Sequence, residues 1–115
     1  MTKVEPLRGE VWNVNFDPTR GREQGKDRPA LIVSTNRFNQ GPADLVVVLP
    51  ITSKGKGIPL HVKIDKPEGG LKTTSYAMTE AVRSISKERL GKRWGTVSAT
   101  TMAEVEDRLR ILLEL

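Results

Sequence analysis

The chain has 115 residues, with 19 Lys and Arg against 14 Asp and Glu and a net charge of +5. Its pI is near 9.8. It contains no Cys, which excludes disulfides and thiolate metal sites and suits a reducing cytoplasm. No apolar run approaches the roughly 18 residues of a membrane helix, and "MTKVEPLRGE" lacks the apolar stretch of a secretory signal. The expectation is one cytoplasmic domain spanning residues 1–115, large enough to bury about 65% of its unfolded surface. A positive field of this size can attract polyanions, although solubility alone also accounts for it.

In chain order, "EVWNVNF" alternates Trp12, Val14 and Phe16 with Val11, Asn13 and Asn15, the period of a strand with one strongly apolar face. "DPTRGREQGKD", Asp17 to Asp27, carries six charges, a Pro and two Gly, and reads as a long surface loop of the kind that often carries function. "PALIVS" is a continuous apolar strand buried on both faces, with Pro29 at its start. "TNRFNQGPAD" is a polar connection with room for one helical turn. "LVVVLPI", Leu45 to Ile51, is the most β-branched stretch and reads as a central strand whose regular pairing ends near Pro50.

"TSKGKGIP" is a basic loop. In "LHVKI", Leu60, Val62 and Ile64 alternate with His61 and Lys63, which places His61 on the solvated face. "DKPEGG" is a turn, "TSYAMTEAVRSI" a longer strand with a bend, and "RWGTV" a short strand. The period then changes. Met102, Val105, Leu109 and Leu112 share one face of an amphipathic helix, started by a Thr101–Glu104 capping box or by Ser98. Five or six strands followed by one helix predict a small β-barrel with a helix against one side.

The residue inventory removes much chemistry. With one His and no Cys, one chain holds neither a His pair nor a Cys-His dyad. No Walker loop, dinucleotide fingerprint or carboxylate cluster with metal-ligand spacing is present. Arg, Thr, Ser and a few carboxylates remain, and these suffice to cleave RNA. The 2′-hydroxyl of RNA is its own nucleophile, so a protein need only align it and neutralise charge on the phosphate. A guanidinium offers paired donors to a phosphate, and a hydroxyl adds another. Arg28 and Thr52 each stand where an apolar segment meets a loop and suit those roles. The alternative is that Arg28 guards an aggregation-prone strand and Thr52 opens a turn. Of the large rings, Trp12 and Phe16 read as core. Phe38, Tyr76 and Trp94 are candidates either for stacking on single-stranded bases or for packing.

The segments "RGEVWNVNFDPTRGREQGKDRPALIVSTNRFN", "VVVLPITS", "PLHV" and "GGLKTTSYAMTEAVRSISKERLG", with the closing amphipathic helix, together resemble the MazF/PemK-type toxins of bacterial toxin–antitoxin systems. The likeness runs from Leu7 to Leu113. It implies an SH3-like β-barrel of the MazF/Kid/CcdB type with a C-terminal α-helix, forming a homodimer. It also implies a metal- and ribosome-independent endoribonuclease without cofactor. Such an enzyme cuts single-stranded RNA at short sequences, leaving 2′,3′-cyclic phosphate and 5′-hydroxyl ends, and a small, usually acidic MazE-like antitoxin neutralises it. The family's catalytic Arg before Pro falls on Arg28 and its Thr after the apolar strand on Thr52. The loop acid, assigned an acid–base part in some members, falls on Glu23. Gln24, Lys26, Ser53 and Lys54 lie in the matching loops as candidate RNA contacts. One departure stands out: many relatives carry Gln after the acid of the "EQ-[VI]-R" motif, where this chain has Ala81 after Glu80. Ala cannot hydrogen-bond a base, so RNA recognition or groove shape changes there. Two other readings remain: a CcdB-like toxin that binds DNA gyrase without cutting RNA, and an RNA-binding module inactivated through Ala81.

Overall fold

The computed structural model describes residues 5–16 and 27–115. Within them the chain forms β1 (Glu10–Asn15), β2 (Asp27–Ile32), α1 (Asn36–Asn39), β3 (Leu45–Thr52), β4 (His61–Ile64), β5 (Ser75–Met78), β6 (Arg83–Ser86), β7 (Leu90–Thr96) and α2 (Ala99–Leu113). The expected loop from Asp17 lies outside the described residues except for Asp27, which opens β2. The expected bent strand is β5 and β6, divided by a 3₁₀ turn over Thr79–Ala81. That division, with β7, brings the strands to seven.

The strands run in the order β4-β5-β3-β2-β1-β7, with β6 also paired to β3. The architecture is a mainly β sheet with a C-terminal helix, as expected. Closure into a barrel is not seen: no described ladder joins β4 to β7. The pairing of β3 does not stop at Pro50. Ala30 lies opposite Pro50 in the β2 ladder, and Ile51 and Thr52 then pair with Ala77 and Tyr76 of β5. Nor is Pro29 the first residue of its strand. It lies opposite Asn13 of β1, at a position the β3 ladder has not yet reached, so its missing N–H disrupts nothing on that side.

β1, β2 and β3 bury both faces. Val11, Leu31, Leu49 and Ile51 join Val62, Ile64, Ala77 and Val105 in one apolar cluster. Trp12, Val14, Ala30, Ile32, Val46 and Val48 join Ile85 in the other. This is the arrangement a continuous apolar strand such as "PALIV" requires. Burying each such aliphatic side chain is worth about 1.5–3 kcal/mol.

Helix α2 lays Val105 into the first cluster, with Met102 and Leu109 partly buried beside it. Its cap is Ser98, whose Oγ accepts from Thr101 N at 3.1 Å, rather than Thr101 with Glu104. A residue from the turn before β5 completes the cap. Glu68 Oε2 accepts from Ser98 N at 2.8 Å and from the Thr101 hydroxyl at 2.5 Å. Thr101 is therefore buried because Glu68 sits over it. Burial alone would raise the Glu68 pKa above 4.5, but these bonds from Ser98 and Thr101 outweigh it and hold the carboxyl below that value. The stability this contributes is present above the ordinary carboxyl pKa and disappears as pH falls through the lower folded value.

Replacing Glu68 with Gln is expected to cost about 1 kcal/mol at pH 7 and to flatten the loss of stability below about pH 4.5. Urea denaturation at a series of pH values measures both.

Candidate functional site

Beyond the Ala30–Pro50 pair, β2 and β3 no longer share a ladder. Carrying the same register two residues further brings Arg28 opposite Thr52. Both side chains line a cleft of about 680 Å³. Ser53, Lys54 and Lys56 line it after β3, Lys72 and Thr73 before β5, His61 from β4, Met78 and Glu80 from the end of β5 and the turn after it, and Trp94 from β7. Among the described residues, Arg28, Lys54, Lys56 and Lys72 line this space with two carboxylates, Asp27 and Glu80. A concave, net-positive surface of that kind concentrates a phosphate backbone.

Thr52 Oγ1 accepts a hydrogen bond from Lys54 N at 3.2 Å. Its own proton remains available for an anion in the cleft. Arg28 is half-buried at the start of β2, so its guanidinium projects from a rigid strand rather than from a loop. Thr52 pairs across the sheet with Tyr76, and the 53–58 loop folds back on that ring. A Cβ built on Gly55 would lie 2.6 Å from the Tyr76 ring, so only Gly allows this approach. Tyr76 therefore supports the loop from behind and is not among the residues facing the cleft. Phe38 stands on α1, also outside it, and is 38% exposed.

His61 departs from expectation. The alternation holds for buried Val62 and Ile64 and exposed Lys63, yet the imidazole is only 5% exposed. β5 runs alongside with Met78 opposite His61, and Tyr76 and Glu80 cover the ring. Nε2 lies 2.8 Å from Glu80 Oε2, and Nδ1 is buried with no partner among the described residues. The turn bearing Glu80 is tied down by Thr79 Oγ1, which donates to Leu60 O at 2.6 Å. Glu80 faces the cleft, whereas Ala81 does not line it.

Of the residues singled out in the sequence, the structure gathers Arg28, Thr52, Ser53 and Lys54 at one site. Glu23, Gln24 and Lys26 lie outside the described residues. Asp27, Lys56, Lys72 and the His61–Glu80 pair were not anticipated there. Lys72 lies two residues past the Glu68–Gly70 turn, with no local pattern to mark it, and that turn packs beside β7.

A larger side chain at position 55 should displace the loop without unfolding the sheet. Gly55→Val is expected to speed amide exchange across residues 53–58 while the exchange of β1–β3 stays unchanged, as hydrogen-exchange mass spectrometry would record.

Residues 7–113 match the family described as "PemK-like, MazF-like toxin of type II toxin-antitoxin system". The endoribonuclease MazF9 of Mycobacterium tuberculosis is 38% identical over 113 residues, covering 94% of this chain and 96% of that protein. The endoribonuclease PemK of Escherichia coli is 41% identical over 115 residues, covering 96% and 84%. Among solved structures, MazF from Deinococcus radiodurans superposes with a TM-score of 0.81 at 31% identity, covering 98% of this chain and all (100%) of that one. A MazE–MazF structure from the same organism gives a TM-score of 0.84 at 30% identity, covering 98% and 99%. Architecture and sequence agree: the chain belongs to the MazF/PemK family of toxin endoribonucleases of type II toxin–antitoxin systems.

Proposed function

We propose that this chain cleaves single-stranded RNA without a metal ion, yielding a 2′,3′-cyclic phosphate and a 5′-hydroxyl. The observation that carries the reading is the shared position of Arg28 and Thr52 at one basic cleft. The RNA 2′-oxygen attacks the adjacent phosphorus, forming the new P–O2′ bond as the P–O5′ bond breaks. Arg28 lies where its guanidinium can take two non-bridging oxygens as negative charge grows on them. The Thr52 hydroxyl, with Lys54 N–H bound to its oxygen, is poised to donate to the same phosphate. The 2′-hydroxyl gives up a proton and the departing 5′-oxygen gains one. Glu23 is proposed for that acid–base exchange on the strength of its motif. Ser53 and Lys54 hold the strand beside the scissile phosphate, and Gln24 and Lys26 are proposed as further contacts.

By the same reading the chain works in the cytoplasm as a homodimer and is neutralised by a cognate antitoxin. The MazE–MazF complex of Deinococcus radiodurans supports the antitoxin. A net-positive cleft would attract an acidic antitoxin segment and RNA alike. No observation favours the gyrase-binding reading.

Purified protein is expected to cleave long single-stranded RNA in excess EDTA. Arg28→Ala should lower the rate by about 10²–10³-fold, the cost of removing one donor to the transition state. Intact RNA after incubation with the native chain, or equal cleavage by the variant, would overturn the proposal. Thr52→Val keeps the shape of the side chain and removes the hydroxyl. It is expected to lower the rate at saturating RNA more than it raises KM, which single-turnover and steady-state kinetics separate.

A further inference from the structure

Trp94 occupies an irregularity in the sheet. Val11 lies opposite Gly95 and Trp12 opposite Arg93, so two adjacent residues of β1 face partners two apart on β7. Trp94 is the extra residue of a β-bulge on the strand that ends the sheet. Bulges re-aim side chains and occur beside active sites; this one stands where Trp94 lines the cleft shared by Arg28 and Thr52.

Both flanks of the bulge are locked. On one, Glu10, only 6% exposed, accepts from Arg93 Nε at 2.8 Å and Trp12 Nε1 at 2.9 Å. On the other, the Gly69–Gly70 turn lies against the backbone of Trp94 and Gly95. A Cβ on Gly70 would come within 2.3 Å of Trp94 O, and one on Gly95 within 2.8 Å of Gly69 C. Gly69 and Gly70 also have φ of +67° and +76°, which side-chain-bearing residues rarely adopt. The fold thus secures the backbone that carries Trp94 with three glycines and a buried carboxylate bonded to the neighbouring Arg93. The ring leans partly on the first apolar cluster and remains half-exposed at the cleft wall. Cations stand on the same cleft at Arg28, Lys54 and Lys72. A fixed aromatic face among phosphate-binding cations is the construction that holds a base and its backbone together on single-stranded nucleic acid.

We infer that Trp94 is a stacking platform for one nucleobase of the RNA strand whose scissile phosphate sits at Arg28 and Thr52. This rests on the function proposed above. Trp94 contributes affinity and places the strand, and it takes no part in bond making or breaking.

The probe is a short single-stranded RNA with a 2′-O-methyl group at the cleavage position, which removes the nucleophile, together with versions carrying one abasic site at each position in turn. Binding is read by fluorescence anisotropy at fixed salt. Trp94→Leu, which retains apolar packing, is expected to weaken binding about 5- to 100-fold, and Trp94→Phe to retain most of it. One abasic position should weaken native binding by a similar factor yet cost Trp94→Leu little more, because the same stack is already lost. Equal abasic penalties in both proteins, or unchanged binding by a Trp94→Leu protein whose thermal melt matches the native one, would overturn the inference while leaving RNA cleavage standing. Failure of the native chain to bind or cut any RNA would instead remove the parent proposal, and this inference with it.

Discussion

Between Val48 and Thr52, β3 leaves its ladder with β2 and continues in one with β5. The site follows from that change of neighbour. β6 pairs with Leu45 to Val48 along one edge and β2 with Val48 to Pro50 along the other, and the strand's side chains fill both apolar clusters. Past Pro50 the edge toward β2 carries no ladder, and Arg28 and Thr52 face the space left there. Pro29 and Pro50 sit at or next to the last shared pair. A residue lacking an N–H fits where pairing is being given up. The two proposed phosphate-binding side chains thus stand at the cleft ends of strands whose inner residues, 30–32 and 48–51, are buried. Each backbone is held by a ladder on one edge, Arg28 opposite Val14 and Thr52 opposite Tyr76.

Electrostatics and packing divide the work. The +5 net charge is spread along the chain, and folding selects which cations face the cleft. Others are committed elsewhere: Arg8 bonds Glu106 of α2 at 2.5 Å and also donates to Val33 O, and Lys87 reaches Glu5 at 3.0 Å and Asn39 O at 2.7 Å. These ties hold α2 and α1 to the sheet. Among the described residues they leave Arg28, Lys54, Lys56 and Lys72 as the cations of the cleft wall, opposed there by Asp27 and Glu80. Glu80 is itself engaged by His61, which tempers its repulsion of a phosphate backbone.

The parts of this arrangement that repeat were visible in the sequence. The period of two in "EVWNVNF" and "HVKI", the unbroken apolar run of "PALIV" and the helical spacing through Val105 each record a local contest between water and core, decided residue by residue. Arg28 and Thr52 were visible as strand-end residues, although pattern alone left them as gatekeeper and turn. The remainder depends on contacts between distant segments. The burial of His61 is set by Glu80 and Tyr76 on neighbouring segments. The cap of α2 depends on Glu68, thirty positions from Ser98 by the separation of that bond. The aim of Trp94 depends on Gly69 and Gly70. "RWGTV" reads as an ordinary short strand because a bulge is a relation between two strands and leaves no period of its own. Ala81 shows the converse: as a departure from a family motif it drew attention, yet it does not line the cleft, and its neighbour Glu80 does.

The pairing of β1 with β7 also has a kinetic meaning. The contact between Glu10 and Arg93 spans 83 positions, and a ladder of that reach rewards the chain only after most of its conformational entropy has been surrendered. Arg28 and Thr52 come from segments separated by far less sequence, so their half of the cleft can assemble early. The wall bearing Trp94 arrives only when β7, the last strand in sequence, pairs with β1, the first. During synthesis, a chain extended no further than β6 lacks β7 altogether, and so lacks that wall. For a molecule directed against RNA, such an order would keep the cleft incomplete on the ribosome and finish it only once β7 has joined β1.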